Sequence, residues 1–541
     1  MTALAYLRHP VSLLAAVSAV IGFVWYVLGL PVQMPPSPLQ AGEKLPCVSY
    51  APPVSAEGGP VIEVAPARIA ADLAALAPHT SCVRTYLTGA GLDRVAEIAR
   101  KHGLMVLQGI RIGPNVAENR VEIERIVALS RLQRPAVRAI IVGSEVLSRG
   151  DLSAFELAAL IRDVQERTKL PVSYADLPDI WLNGDLIAAS VDFITLQVPL
   201  YDAEFPVAAA DAARHVLAAH AKVKARYSTK EIAIGEAGWP SAGRMRETAL
   251  PSPANQGRVF HDLIATTKAG NISLNIFEAI DQGSRDRMER SAGAHWGLLR
   301  NETYEAKFRW GGTVINHPLW FMQAATGIML ALVVFAAGFL SARSVGPESV
   351  AAAKWEPVAL IALGAGAFVG WAVADLPVQS GSITDWASGT IVLALAFIMP
   401  PVAAAAVVRR TPFEGFSVVL DPLARRAAHS LVLSVTFLFL LSVLFGIQSA
   451  LALAFDPDDR NFPSAALTGP AIALLVLSIA NSAGTRRDSY AEAGAALVLA
   501  GTALLIALNE SFLNWQALWF AALLVALAFA CWRTPGAQRR Q

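Results

Sequence analysis

The sequence contains little charge and few cysteines. Only 16% of its 541 residues are Asp, Glu, Lys or Arg, the formal net charge is +1, and no dense block of Lys and Arg occurs. A nucleic-acid partner is therefore not expected, because proteins hold the phosphate backbone through clustered cations. The three cysteines and nine histidines show none of the spacings that are typical of metal sites, so we expect neither a metal nor a cofactor.

Two of the cysteines, Cys47 and Cys82, each begin a strand-like run, and the third, Cys531, lies in the last apolar run. We expect Cys47 and Cys82 to be buried thiols, with a disulfide between them as the alternative if the compartment is oxidising. Cys531 is expected to be an inert apolar residue.

Long hydrophobic runs, in contrast, are abundant, and they divide the chain. Hydrophobic residues make up 54% of the sequence, and apolar runs of roughly 18–25 residues are typical of transmembrane helices. One run precedes a segment of ordinary globular composition and seven follow it. The predicted division is a cytoplasmic N-terminus with an anchor (1–34), a globular domain (45–310), a transmembrane region (318–532) and a basic cytoplasmic tail (533–541). The predicted spans are 11–31, 318–341, 357–376, 389–408, 428–454, 465–481, 489–508 and 514–532.

The charges of the connecting segments predict the orientation of the spans. Basic residues mark the cytoplasmic side of a membrane, and basic and acidic connections alternate along this chain. The basic ends contain Arg8, Arg343, Lys354, Arg409, Arg410, Arg425, Arg426, Arg486, Arg487, Arg533, Arg539 and Arg540, and the others contain Asp375, Asp385, Asp456, Asp458, Asp459 and Glu510. Both termini are therefore expected in the cytoplasm and the 45–310 domain on the opposite side.

The first apolar run has a second interpretation as a signal peptide. Its apolar core is longer than is usual for one, and a proline-rich stretch follows it instead of a small-residue cleavage site. We expect an uncleaved anchor.

The 45–310 domain alternates strand-like and helix-like segments. Eight such units in about 265 residues predict a (β/α)₈ TIM barrel. The alternative of a doubly wound open sheet is disfavoured, because no glycine-rich phosphate loop follows the first strand. The strand-like runs are 46–51, 81–87, 104–110, 138–146, 171–176, 191–199, 232–239 and 273–280, and the amphipathic segments include 68–77, 90–102, 118–131, 153–168, 207–225 and 254–268.

Two of these runs, the fourth and the seventh, contain a glutamate at or near the end of the predicted strand. Glu145 follows Val142-Gly143-Ser144, and Glu236 lies in Ile234-Gly235-Glu236-Ala237-Gly238-Trp239-Pro240-Ser241. In a barrel, catalytic groups lie at the carboxyl ends of the strands, and strands four and seven face each other across the mouth. A pair of carboxylates is what breaking a glycosidic bond requires. We therefore predict that Glu145 and Glu236 are catalytic and that Arg84, at the end of strand two, keeps Glu236 ionised; the alternative for Arg84 is a structural ion pair.

The 45–310 segment resembles glycoside hydrolase family 17, specifically its membrane-anchored bacterial branch of β-1,3-glucan-active enzymes and transglycosylases. The resemblance rests on Gly235 to Ser241, which is similar to the nucleophile motif, and on Gly143-Ser144-Glu145-Val146, which is similar to the acid/base motif. Further matches are Val83-Arg84-Thr85-Tyr86, Ala254-Asn255-Gln256, Phe277 to Gln282 and Gly293 to Leu298. It implies a retaining mechanism with Glu236 as nucleophile and Glu145 as acid/base.

Candidate substrate-binding residues surround these two glutamates. Aromatic residues at strand ends stack on sugar faces or pack the barrel rim, and carboxylates there bind sugar hydroxyls or satisfy loops. The resemblance places Trp239 beside the nucleophile, and Ser144 stands where the family usually has an Asn that contacts the sugar 2-hydroxyl. The candidates are Arg84, Tyr86, Ser144, Asp176, Tyr201, Trp239, Glu278 and Trp296.

Other departures from the family pattern fall at the predicted sugar subsites. The bacterial branch tends to have Trp where Arg111 stands, an aromatic pair where Leu200-Tyr201 stands, and Pro-Trp-Lys where Gly283-Ser284-Arg285 stands. These changes leave both carboxylates in place and leave open the length and linkage of the substrate.

The predicted function is that of a retaining β-1,3-glucan transglycosylase on the periplasmic face of a bacterial inner membrane, where it elongates, branches through β-1,6 bonds or cyclises glucans. The expected partners are a β-glucan oligosaccharide or polysaccharide, the lipid bilayer and a membrane glucan synthase. The alternatives are a β-1,3-glucan endo-hydrolase, a catalytically weak glucan-binding scaffold for such a synthase, and a transporter. The transporter is disfavoured because the spans are expected to keep their charges in the loops.

Overall fold

The computed structural model describes residues 9–54, 62–132, 136–282, 290–352, 354–455, 461–481 and 490–534. The chain forms two compact units. Val32–Val314 is one unit, and Met1–Pro31 together with Ile315–Gln541 forms the other.

The first unit contains the predicted barrel, and the fold class is confirmed. Eight parallel strands close into one barrel in chain order, and the last strand pairs with the first through Val48 and Ile276. Their inward and outward faces are both covered, which is why these strands are nearly continuous apolar runs. The barrel strands are β2 (Val48–Ser49), β3 (Cys82–Arg84), β4 (Met105–Ile110), β5 (Val137–Ser144), β6 (Val172–Asp176), β7 (Ile194–Gln197), β8 (Ile232–Gly238) and β9 (Leu274–Phe277). Outside the barrel, β1 (Val32–Gln33) pairs antiparallel with β10 (Thr313–Val314).

Helices follow the strands at the positions that the periodicity predicts. Ser153 caps one of them through a reciprocal capping box with Glu156, and Ser252 caps another just before Pro253, so the sequence itself marks both beginnings. The helices of this unit are Pro66–Leu76, Val95–Lys101, Val116–Leu132, Ala154–Thr168, Pro178–Leu182, Asp185–Ser190, Ala212–Arg226 and Pro253–Ala269, with 3₁₀ turns at Leu92–Arg94, Ala209–Asp211 and Arg290–His295.

The expectation of two free thiols at Cys47 and Cys82 is wrong. The two residues form a disulfide, with their Cα atoms 4.4 Å apart. The reason is the strand register: Val48 pairs with Val83 on the neighbouring strand, so the residues that precede them also lie opposite each other. Cys531 is a buried free cysteine.

The second unit is helical. Seven of its described helices are long and apolar enough to cross a membrane: Pro10–Leu28, Trp320–Val345, Glu356–Gln379, Ile383–Val408, Ser430–Phe455, Tyr490–Asn509 and Trp515–Arg533. The remaining predicted span, 465–481, corresponds to Ser464–Ala480, which has only 17 residues. At 1.5 Å per residue it is about 26 Å long, shorter than a hydrocarbon core of about 30 Å. Short helices at Pro347–Ala352, Ser417–Leu420 and Pro422–Ala427 complete this unit.

The expectation that these spans keep their charges in the loops fails for several acidic residues. Glu492 is buried within the helix Tyr490–Asn509, and Asp375 and Asp385 lie in two further helices. Asp375 lies within the helix Glu356–Gln379, because that helix continues past Pro377. Asp385 lies in the first turn of Ile383–Val408, where its side chain accepts a hydrogen bond from the backbone N–H of Ser382 at 3.0 Å. Both line a cavity of about 140 Å³ between helix ends.

Candidate active site

A cleft of about 290 Å³ opens where the barrel strands end. Residues from the ends of five strands, β3, β5, β7, β8 and β9, line it. Five of the predicted site residues are among the lining residues: Tyr86, Ser144, Glu145, Glu236 and Trp296. The two predicted catalytic glutamates therefore face one cavity.

Glu236 is held by a buried cation. Its Oε1 lies 3.1 Å from Nη1 of Arg84, whose side chain is only 1% exposed. The same nitrogen of Arg84 donates a hydrogen bond to the backbone carbonyl of Gly235 at 2.8 Å. One guanidinium thus fixes both the carboxylate and the strand that carries it, and such charge-assisted contacts are stronger than neutral ones.

Two residues that the sequence analysis missed support this arrangement. Asn275 on β9 donates from Nδ2 to the carbonyl of Gly235 at 2.7 Å and to Oγ of Ser49 at 2.7 Å. The hydroxyls of Ser49 and Tyr86 share a hydrogen bond of 2.7 Å, and the Tyr86 ring lies 4.7 Å from the Arg84 guanidinium. A signal for both missed residues was present, since each is a polar residue inside an otherwise apolar strand.

Glu145 lies in a different environment. Burial is the largest cause that raises the pKa of its carboxyl to about 7, and the negative charges of Glu236 and Asp176 add to it. Its backbone is unusual as well, with φ of 55° after Gly143 at 81°. Strained backbone of this kind is concentrated at functional sites. One carboxyl with a raised pKa therefore shares a cleft with another that is paired to a cation.

The residue before Glu145 is tied to a further strand. Ser144 Oγ accepts a hydrogen bond of 2.7 Å from Nε2 of Gln197. Gln197 ends β7, is 3% exposed, and its Cα pairs with that of Glu236 on β8. The sequence analysis did not single out Gln197, although it also is a polar residue in an apolar run.

The two other predicted carboxylates lie outside the cleft lining. Asp176 is fully buried and accepts hydrogen bonds from the hydroxyls of Tyr174 and Ser148 and, at 2.8 Å, from the backbone N–H of Leu177. Glu278 is 1% exposed and accepts from Nε2 of Gln282 at 3.0 Å. Asp176 still acts on the cleft, because its charge contributes to the raised pKa of Glu145.

Of the predicted residues Trp239, Tyr201 and Trp296, only Trp296 lines the cleft. Trp296 lines the cleft, is 5% exposed, and its Nε1 has no hydrogen-bond partner among the described residues. Trp239 is fully buried and donates to the carbonyl of Leu250 at 3.3 Å, and the Tyr201 hydroxyl donates to the carbonyl of Arg244 at 2.9 Å. The Tyr201 ring packs edge-on against both tryptophans, so Trp239 and Tyr201 form the layer beneath Trp296.

The structure also shows where Arg111 and Leu200, two positions that depart from the family pattern, lie. Arg111 is exposed and is not among the residues that line the cleft, whereas Leu200 lines it and is 1% exposed. Gly283-Ser284-Arg285 lies outside the described residues. Within the described part of the chain, no group of three or more His, Cys, Asp and Glu side chains could hold a metal ion.

The barrel unit is similar in sequence to known glycoside hydrolases. Residues 47–297 match the BtgE/BtgC glycoside hydrolase domain. A probable β-glucosidase, BtgE, from Aspergillus clavatus is 26% identical over 229 residues, which are 40% of this chain and 39% of that protein. A glucan 1,3-β-glucosidase from Candida albicans is 26% identical over 260 residues, covering 43% of this chain and 82% of that protein.

A solved structure also resembles the barrel. The glycoside hydrolase family 17 β-1,3-glucanosyltransferase from Rhizomucor miehei aligns with 48% of this chain and 94% of its own, at 25% identity and a TM-score of 0.42. The chain spans about 40% of the length of the BtgE proteins that it matches. The barrel unit is thus similar to the BtgE/BtgC glycoside hydrolase domain over residues 47–297.

Proposed function

We propose that the barrel is a retaining enzyme that acts on β-1,3-glucan, with Glu236 as the nucleophile and Glu145 as the acid/base. The observation that carries the proposal is the pairing of opposite environments in one cleft. Glu236 contacts the buried guanidinium of Arg84 at 3.1 Å, while the pKa of Glu145 is raised to about 7 by burial and nearby negative charge. A carboxyl with a raised pKa suits the acid/base, and a carboxyl in contact with a buried cation suits the nucleophile.

The proposed reaction has two steps. In the first, a Glu236 carboxylate oxygen attacks the anomeric carbon, the glycosidic C–O bond breaks, and the Glu145 carboxyl gives its proton to the departing oxygen. In the second, the ionised Glu145 takes a proton from an incoming hydroxyl, whose oxygen displaces Glu236 from the anomeric carbon. The acid is thereby restored, and the product is a new glycoside if the hydroxyl came from a sugar and a free sugar if it came from water.

The substrate class is proposed from the relatives. The glucan 1,3-β-glucosidases of Candida albicans, Schizosaccharomyces pombe and Saccharomyces cerevisiae share 24–27% identity with this chain. The cleft adds a physical reason, since the aromatic side chain of Trp296 is part of its wall. An aromatic surface suits the apolar face of a neutral sugar better than it suits an ion.

We favour transfer to a sugar over hydrolysis. The partition depends on which hydroxyl reaches the glycosyl-enzyme intermediate first, and a surface that holds an acceptor sugar gives it a high effective concentration. A membrane tether suits an enzyme that remodels glucan at the site of export better than one that digests it. The product would be an elongated, β-1,6-branched or cyclised glucan; endo-hydrolysis, or a scaffold beside a glucan synthase, is the alternative.

The location is proposed from the sequence pattern of the spans. The connections rich in Arg alternate with acidic ones, and basic segments mark the cytoplasmic face. We place both termini in the cytoplasm and the barrel on the other side, which in a bacterium is the periplasmic face of the inner membrane. Because both termini lie on one side only if the number of crossings is even, this arrangement requires the shorter helix Ser464–Ala480 to cross the membrane together with the seven long apolar helices.

The sizes of the products test the function. Full-length protein in detergent is incubated with a single β-1,3-glucan oligomer, and the products are sized by mass spectrometry. We expect products longer than the substrate at high oligomer concentration. Shorter fragments alone would support the hydrolase, and no change in the oligomer by wild-type protein would contradict the proposed function. The Glu236→Gln variant should leave the oligomer unchanged. Its matched control is Glu231→Gln, because Glu231 is exposed and lies just before the same strand.

A further inference from the structure

We propose that Gln197 is a positioning residue for the reaction: its amide turns the Ser144 hydroxyl toward the sugar hydroxyl next to the reacting carbon. The proposal rests on the proposed function and adds a residue that neither the sequence motifs nor the comparisons identify. It depends on a hydrogen bond inside the cleft and on the polar atoms that this bond leaves without partners.

The Ser144 hydroxyl has a hydrogen that is free to point into the cleft. A serine hydroxyl has one donor hydrogen and two acceptor lone pairs. The Gln197 Nε2 group occupies one lone pair at 2.7 Å, which turns the hydroxyl hydrogen away from Gln197. Among the described residues, no acceptor receives that hydrogen, and Ser144 is half-buried at the cleft wall. The hydrogen is therefore directed at whatever the cleft binds.

A glutamine at position 197 lowers the stability of the fold. Gln197 is 3% exposed, and its Oε1 is buried without a hydrogen-bond partner in the described part of the chain. An unsatisfied buried acceptor costs about 1–3 kcal/mol, so a methionine of similar length would be the cheaper residue for packing. Turning the amide over does not remove the cost, because then the nitrogen would lack a partner. Gln108 carries the same cost, so the feature that distinguishes Gln197 is its position: it lines the cleft, and its amide holds a hydroxyl there.

The sugar hydroxyl that Ser144 would contact is the 2-hydroxyl. The Cα of Gln197 pairs with that of Glu236, and Ser144 directly precedes Glu145. The Gln197–Ser144 bond thus joins the strand beside the nucleophile to the strand of the acid/base. When Glu236 is bonded to the anomeric carbon, the nearest sugar hydroxyl is the one on the adjacent carbon, the 2-hydroxyl. Hydrogen bonds to this hydroxyl strengthen in the transition state, so we expect the pair to act mainly on kcat.

The experiment uses full-length protein and two substrates. One is an aryl β-1,3-glucan oligoside, and the other is the same compound without the 2-hydroxyl on the sugar at the cleaved bond. Wild-type protein should lose much of its kcat/KM when the 2-hydroxyl is absent. Gln197→Met should lose about tenfold less, which corresponds to one hydrogen bond. The effect should appear in kcat more than in KM.

The matched control is Gln108→Met. Gln108 is also a fully buried barrel glutamine whose Nε2 donates to a backbone carbonyl, that of Gly109 at 3.0 Å, and whose Oε1 has no partner among the described residues. It is not among the residues that line the cleft, so its substitution should change the kcat/KM values of the two substrates by the same factor.

A second variant keeps the proposal testable if Gln197→Met does not fold. Ser144→Ala should show the same reduced sensitivity to the 2-hydroxyl, and adding Gln197→Met to it should reduce the sensitivity no further. Equal loss on both substrates in Gln197→Met, or full sensitivity in Ser144→Ala, would overturn the inference while wild-type turnover left the proposed function standing. Absence of turnover by wild-type protein would count against the proposed function itself.

Discussion

The raised pKa of Glu145 makes a quantitative prediction about the pH dependence of catalysis. An acid/base must be protonated when the first bond breaks, so kcat/KM should fall as the pH rises through its pKa. A glutamic acid at its ordinary pKa would be protonated in only about one molecule in 300 at pH 7. With the pKa raised to about 7, about half of the molecules carry the proton at that pH.

The assay is kcat/KM of the full-length protein on a β-1,3-glucan oligomer between pH 5 and pH 9. We expect a plateau on the acid side of the Glu145 pKa, a midpoint near pH 7, and a decline of about tenfold per pH unit beyond it. Glu145→Gln should turn over only substrates with good leaving groups, and without a decline near pH 7. The Glu231→Gln control should keep the wild-type midpoint.

The causes of the shift can be tested separately from turnover. Because the charge of Glu236 contributes to the raised pKa of Glu145, Glu236→Gln should move that pKa down. Carbon NMR of labelled Glu145 would measure this even in an inactive protein. A midpoint between pH 4 and 5, or a decline near pH 7 that survives in Glu145→Gln, would refute the assignment of Glu145.

Three further outcomes are expected. Glu236→Gln should abolish turnover of every substrate, including those with good leaving groups, in the same kinetic assay; substantial residual activity would remove Glu236 as the nucleophile. Cys47→Ser should lower the free energy of unfolding of the barrel by about 2–4 kcal/mol, measured by denaturant titration, and the wild-type protein under reductant should match the variant. Cysteines introduced between 409 and 426, with Cys531 replaced by Ala, should stay unlabelled by an impermeant thiol reagent in intact cells, whereas one at 380–382 should react; the reverse pattern would invert the proposed topology.

The sequence predicted the elements that depend on periodicity and on strand ends. The ends of the apolar runs predict the barrel, the positions of Glu145 and Glu236 and the Arg84 ion pair. The reason is that the carboxyl end of each barrel strand lies at the mouth of the barrel. The sequence was less informative about side chains that point along the mouth or beneath it. Tyr201 and Trp239 follow strands as Trp296 follows β9, yet only Trp296 lines the cleft, since that depends on how the loops pack.

The state of the cysteines shows the same limit. Whether Cys47 and Cys82 meet depends on strand register, which is a pairing between segments 35 residues apart and is not visible in either run alone. Ser49, Gln197 and Asn275 were missed for another reason. Each interrupts an apolar strand, and a buried polar residue in such a strand requires a partner. Polar residues inside apolar strands are thus a sequence signal for the residues that support the two glutamates.

The opposite environments of the two glutamates also predict opposite effects on stability. Arg84 is 1% exposed and its charge is compensated by Glu236; a neutral glutamine would leave a buried cation without its counterion, which is strongly destabilising. Glu145 has a folded-state pKa raised to about 7. Its contribution to stability is therefore fully present below the unfolded pKa near 4.5 and is lost as the pH rises through 7.

At pH 8, Glu145→Gln should thus unfold at a higher temperature than wild type, and Glu236→Gln at a lower one. At pH 5 the advantage of Glu145→Gln should largely disappear. Thermal unfolding of the three full-length proteins at both pH values measures this, and an advantage of Glu145→Gln that did not change with pH would show that ionisation of Glu145 is not its cause.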